Sequence, residues 1–229
     1  MTTSGTYNFS PGLGELTLYA FNVAGVRSPS ITQAHMESAR MASNLILGRW
    51  SSKGVNLWQV DLQTVGLVQG QASYSVPANT IAILDAYITQ TQGSSSTNRV
   101  ILPVSRSEYA SYSNPTQQGG ITTFWFDRLL SPTLTTYQVC DGTVSQLSYY
   151  RLRQAQDANF TGGQTVEIPV YWLEAFADAL AYRMAKIWNP EKAPGLKIDA
   201  AESYLDAIDQ NTEQANVYIS PQLGSYFQT

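Results

Sequence analysis

The residues of this chain that could do chemistry are few and far apart. His35 is its one histidine and Cys140 its one cysteine, which excludes an intrachain disulfide and argues against a zinc site. His35 falls in a helix-forming stretch with no nucleophile motif beside it, and Gly-x-Ser-x-Gly is absent. Phosphate loops are absent as well; Gly12-Leu-Gly14 opens a helix without a preceding strand. Paired glycosidase acids leave no local motif, but the middle of the chain holds few acids, chiefly Asp61, Asp85, Glu108, Asp127 and Asp141. Asp127 beside Arg128 reads as a structural ion pair. With no set of nucleophile, base and orienting group, the expectation is a protein that is not an enzyme and uses no cofactor or metal.

One charge pattern stands out. Asp199, Glu202, Asp206, Asp209 and Glu213 recur at spacings of three and four, and no Lys or Arg occurs between Asp199 and Thr229. On a helix they form one acidic stripe, about 100° round from an apolar stripe of Ile198, Ala201, Leu205 and Ile208. A solvated face explains such a stripe; a surface that meets a polyanion without adhering to it explains it as well. The segment after it, Val217–Thr229, carries Val217, Tyr218, Ile219, Leu223, Tyr226 and Phe227, and is too apolar for a free tail. It reads as an extended docking arm.

The element that must organise the chain is a long helix from Pro169 to Trp188. Leu173, Phe176, Ala177, Leu180, Met184, Ile187 and Trp188 give it a wide apolar stripe. Glu174 and Asp178 sit early and Arg183 and Lys186 late, complementing the helix dipole. Two helices precede it: Leu13–Val23, closed by Gly25, and Ile31–Trp50, with Ser30 and Gln33 as a capping box. The expected apolar stripe of the second is Ile31, Ala34, Met41, Ala42 and Leu45, with Ser38 between. After a Pro-bracketed link, PEKAPG, a last helix spans Ile198–Asn216.

Between Val55 and Val166 the period shortens toward two, with Gly, Pro and Asn as punctuation. Strands are expected near Leu57–Leu62, Gln71–Val76, Ile81–Thr91, Asn98–Val104, Ile121–Arg128, Thr133–Cys140 and Gln146–Gln154. Gly93–Thr97 reads as a hairpin tip and Asp141-Gly142 as a two-residue hairpin turn. Ser105 with Glu108 predicts a short capped helix. The fold class is therefore α+β: terminal helices in a bundle (1–54 and 167–216), an antiparallel β-sandwich-like module inserted between them (55–166), and an extended arm (217–229).

Composition narrows the function. Charged residues are 13%, against about 25% in ordinary soluble proteins. Five Trp and 14 Tyr accompany this low charge. Interface cores are poor in charge and rich in aromatics, so a subunit of an assembly fits, as does a β-rich domain with an uncharged polar surface. The net charge of −4 argues against gripping a phosphate backbone. The N-terminus reads as lacking a signal peptide, and no apolar run approaches the ~20 residues of a membrane span.

Leu102-Pro-Val-Ser-Arg-Ser-Glu-Tyr109, the turn-rich gap Asn114–Gly120, Phe124-Trp-Phe-Asp-Arg128, Pro132-Thr-Leu134 and Val139-Cys-Asp-Gly142 follow in order, before the Pro169 helix with its Asn-Pro stop. In that order they resemble the head-to-tail adaptors of short-tailed bacteriophages, also called connectors or tail tubular proteins of the A type, over Ser30 to Asn216. The resemblance implies a structural virion protein, made in the host cytoplasm, at the head-tail junction. It implies a homo-oligomeric ring, typically of about twelve subunits, below the portal protein. Such a ring continues the DNA channel without sequence-specific binding and carries the tail nozzle protein and sometimes tail fibres. It further implies that the Val217–Thr229 arm docks on the portal or a neighbouring subunit; with such a channel, the acidic stripe, which no cation compensates, is expected to border it and keep DNA mobile. The competing reading is a ligand- or glycan-binding β-module of a tail or receptor-recognition protein.

Overall fold

The computed structural model describes residues 3–7, 9–54, 56–92, 95–160 and 163–212. It is a mixed α+β structure with five α-helices among these residues and two separate buried clusters, one among helices and one under a curled sheet.

Helix α1, Leu13–Ala24, starts where the Gly12 N–H donates to the Glu15 carboxylate at 3.2 Å, and it ends at Gly25. Gly25 has φ 86°, and a Cβ there would meet Asn189 Nδ2 at 2.9 Å, so both conformation and space select glycine. Asn189 uses that space to donate to the Ala24 carbonyl at 3.1 Å. The residue that stops the long helix thus also caps α1.

Helix α2 is Gln33–Ser51. Its cap is Thr32 with His35, not Ser30 with Gln33: Ser28–Ser30 form a 3-10 turn, and the Thr32 N–H donates to His35 Nδ1 at 3.2 Å. Its buried face also differs from the expected stripe. Ala39, Ala42, Ser43, Ile46, Leu47 and Trp50 are buried, whereas Met41 and Leu45 are exposed. A helix with apolar residues on two adjacent faces offers two possible stripes; the one bearing Trp50 wins, because it buries the larger side chain.

The long helix is borne out as a 3-10 turn, Val170–Trp172, running into α4, Leu173–Trp188. Phe176, Ala177, Leu180 and Met184 are buried as the stripe predicts, while Ile187 stays exposed. Trp172 is the hub of the helical core. Its ring lies 4.8 Å from that of Trp50, 5.0 Å from Trp58 and 5.6 Å from Tyr204, centroid to centroid. The indole N–H groups of Trp172 and Trp58 are buried without a hydrogen-bond partner. The knot is therefore held by packing of aromatic surface.

Helix α5, Ala193–Gln210, begins inside the predicted link, because Pro194 is tolerated in a first turn where no N–H is needed. The short helix α3, Arg106–Ser111, has the predicted cap: Ser105 Oγ accepts the Glu108 N–H at 3.1 Å.

The strands are β1 Val60–Gly66, β2 Ser73–Ser75, β3 Thr80–Gln92, β4 Ser95–Pro103, β5 Gln118–Gly119, β6 Thr123–Phe126, β7 Thr133–Tyr137, β8 Val139–Cys140 and β9 Val144–Arg153. They make one seven-stranded sheet, β1-β9-β3-β4-β6-β7-β2, and a small β5-β8 ladder. Where the pattern suggested a purely antiparallel module, β4 pairs β6 in parallel, as does β5 with β8. A parallel pair needs a crossover, and α3 with β5 lies in the β4–β6 connection. Leu57–Gln59 is a 3-10 turn, so the first strand starts three residues later than expected. Asp141-Gly142 is not a hairpin turn, since β8 and β9 pair with different partners; Asp141 Oδ1 instead accepts the Thr143 N–H at 3.0 Å. Of the expected tip, Gly93 and Ser94 lie outside the described residues, and Ser95–Thr97 belong to β4, which pairs antiparallel with β3 from Ser95 opposite Gln92. Register shifts along β3 bend it, which helps the sheet curl over Ile88, Ile101, Phe124, Leu134 and Tyr149.

Arg151, on β9, is 6% exposed and donates to Asp61 at 2.7 Å, Asn79 at 2.8 Å and Thr80 at 2.8 Å, anchoring β1 and the start of β3. Arg153 pairs with Glu167, tying the sheet to the segment entering α4. Ala155, Ala158 and Val166 pack on the helical core, and the Asn44 side chain bonds both backbone groups of Ala158.

Trp172→Ala should cost about 4 kcal/mol, the usual scale for emptying a buried aromatic site. Trp188→Ala, at a half-exposed ring, should cost about 1 kcal/mol. Urea unfolding of the two variants checks the difference.

Candidate functional site

Helix α5 decides how the chain presents its charge. Tyr204 joins the Trp172 knot, and Leu196, Ala207 and Ile208 pack beside it. That rotates the helix away from the predicted apolar face: Ile198 is 67% and Leu205 60% exposed. Asp199, Glu202, Asp206 and Asp209 are exposed together on the outer side of the helix. The strip is sensed by its neighbours. Burial raises the Asp178 carboxyl above the ordinary range; the nearby Ser203 hydroxyl opposes this, and Glu174 and Asp199 add to it. Glu213 and the arm residues Val217, Tyr218, Ile219, Leu223, Tyr226 and Phe227 lie outside the described residues.

A second charged feature has no counterpart in the sequence pattern. Arg49 from α2, Lys53 from the turn that follows it, Arg183 from α4 and Lys197 from α5 line one concavity of about 360 Å³, with Tyr182 and Tyr204 in its wall. These are four of the chain's 13 Lys and Arg residues, and no acid lines the concavity. None of the four forms an ion pair with a described residue. Lys53 Nζ sits 4.1 Å from the Tyr204 ring centre instead. Burial, then the charge of Arg49, lowers the pKa of both Lys53 and Arg183. Arg183 also lines an adjoining groove of about 470 Å³ with Lys186, Met41, Leu45 and Ile187. The groove's one acid, Glu37, accepts from Gln33 Nε2 at 2.9 Å.

The isolated candidates for chemistry are placed in packing roles. His35 stacks on Trp188 at 3.9 Å and meets the edge of Phe21 at 5.6 Å, so it joins α1, α2 and α4. Cys140 is buried, with Sγ 3.4 Å from the Val144 carbonyl. Asp127 does not pair with Arg128 among the described residues; it accepts the Thr133 N–H at 2.7 Å and hydroxyl at 2.9 Å. Tyr109, Tyr112, Trp125 and Tyr137 are half-buried and pack on one another under α3, with Tyr112 and Tyr137 stacked at 4.1 Å. Their faces cover each other rather than forming an open platform. Among the described residues no group of three His, Cys, Asp or Glu could hold a metal, and no helix is long and apolar enough to cross a membrane.

Residues 31–222 match the model of a protein family described as SU10 adaptor protein. The chain belongs to this family. No curated protein matches it. As an SU10 adaptor it is a phage structural protein of the virion, from a family that is not one of enzymes, and it associates with other virion components such as portal and tail. The match spans α2 to α5 and the whole sheet, so the helical surface with its two charged features belongs to the adaptor body.

Asp178 gives a pH test. Its carboxyl is raised in the fold, so the ionised form is disfavoured there relative to the unfolded chain. The penalty is absent below the unfolded value, grows as pH rises through the folded value, and is complete above it. Asp178→Asn should therefore raise the melting temperature at pH 7 and change it little at pH 3, as thermal melts at the two pH values will show.

Proposed function

We propose that this adaptor forms a closed ring of about twelve subunits beneath the portal at the head-tail junction. The ring continues the DNA channel and carries the tail nozzle, with fibres where the tail has them. In this reading the helical parts, 1–54 and 167–216, are one unit, the sheet region 55–166 is an insertion, and 217–229 is the docking arm. The observation that supports it best is the outer surface of the helices. In a chain with only 13% charged residues, Met41, Leu45, Ile187, Ile198 and Leu205 are all more than half exposed. Surfaces of that kind are covered in assemblies. DNA passage needs no basic groove facing the channel, because clustered cations would hold the backbone.

On its own the protein is expected to be monomeric or weakly associated, and with saturating portal it should give one discrete large species by light scattering. Free subunits alone in that mixture would rule out the adaptor ring. Deleting residues 220–229 should leave the melting temperature within a few degrees of the full chain and abolish portal binding. A large loss of stability would place the segment in the subunit core instead.

A further inference from the structure

Helix α5 carries two different surfaces. Lys197, Ala201, Tyr204 and Leu205 face the cationic concavity, whereas Asp199, Glu202, Asp206 and Asp209 point outward. At about 100° per residue the centres of the two sets lie roughly 130° apart round the helix, so one copy cannot turn its acids into its own concavity. Each cluster is unfavourable in the isolated subunit. Carboxylates three and four apart repel, and Arg49 acts on Lys53 and on the half-buried Arg183 in the same sense. The chain spends charge sparingly, yet it sets four cations round one concavity and four described acids on one strip.

We propose that the concavity formed by Arg49, Lys53, Arg183 and Lys197 is the seat for a second copy of this chain, whose α5 strip of Asp199, Glu202, Asp206 and Asp209 lies across it. The proposal rests on the ring reading and gives it a contact. Strip and concavity are different patches, so the contact is heterologous, the kind that repeats round a ring when the rotation closes. Arg183 joins the concavity to the groove of Met41, Leu45 and Ile187, which gives the exposed Ile198 of the arriving helix an apolar neighbour. Complementary charge fixes register and speeds encounter. The strip is thereby neutralised at the subunit interface rather than turned to the channel.

Charge reversal tests this with the full chain and its portal. The concavity variant is Arg49→Glu with Lys197→Glu; the strip variant is Glu202→Lys with Asp206→Lys. Each alone should assemble at least ~10-fold more weakly than the native chain, and wild-type assembly should weaken with added salt. An equimolar mixture should recover assembly, because in an alternating ring each reversed, acidic concavity meets a reversed, basic strip and each native, basic concavity meets a native, acidic strip. Either variant assembling alone like the native chain overturns the contact while leaving the ring reading intact. A mixture that stays dissociated, with both variants melting as the native chain does, overturns it too. Strip-reversed rings that form and retain DNA would put the strip at the channel wall. A native chain that never assembles on saturating portal defeats the ring reading itself. If a reversal unfolds the chain, Arg49→Gln and Asp206→Asn take its place, each expected to weaken assembly severalfold and to blunt its salt sensitivity; unchanged assembly would refute the contact.

Discussion

The packing of aromatic rings round Trp172 is the constraint on which the helical part depends. Trp50 brings α2 to it, Tyr204 brings α5, and Trp58 brings the chain entering the sheet. Trp172 itself lies in the turn that opens α4, so four segments distant in sequence share one buried site. Large flat side chains bury much area with few rotatable bonds, which makes their contacts dominate weaker preferences. The rotation of α2 and that of α5 both follow. Each helix turns its aromatic residue inward and leaves a second apolar set, Met41 and Leu45 or Ile198 and Leu205, in solvent.

That choice sets the charged surface of the helices. Had α5 buried Ile198 and Leu205, the acids would sit on a flank of the packed helices. With Tyr204 inward they face out. The same rotation carries Lys197 to the side where Arg49, Lys53 and Arg183 converge. The charge pattern of the adaptor is in this sense a consequence of its aromatic core. The scattered His35, Cys140 and Asp127 are occupied by stacking, burial and hydrogen bonds.

The sheet obeys a different rule. Its bulged central strand and the parallel β4–β6 pair come from chain connection, not from local preference. Arg151 and the Arg153–Glu167 pair then fasten it to the neighbouring strand and to the approach of α4. Burying Arg151 is tolerable because each charged contact is met by a carboxylate, an amide or a hydroxyl.

By itself the sequence determined what depends on neighbours within a turn or a strand. The Gly25 stop, the Ser105 cap, the buried stripe of α4, the β-rich middle and the mixed α+β class are local in origin, since φ preference, capping and periodicity act over a few residues. The acidic strip was legible for the same reason, as spacing along one helix, and the ordered motifs of the middle pointed to the adaptor family. Tertiary structure alone decided which of two apolar stripes α2 and α5 bury, because that is settled by aromatic partners on other elements, Trp172 for Trp50 of α2 and both tryptophans for Tyr204 of α5. It decided the parallel pairing of β4 with β6, which no pattern within either strand encodes. It also gathered Arg49 of α2, Lys53 just beyond it, Arg183 of α4 and Lys197 of α5 round one concavity. Convergence of that kind comes from the packing angles of helices, and the order of residues along the chain carries no local sign of it.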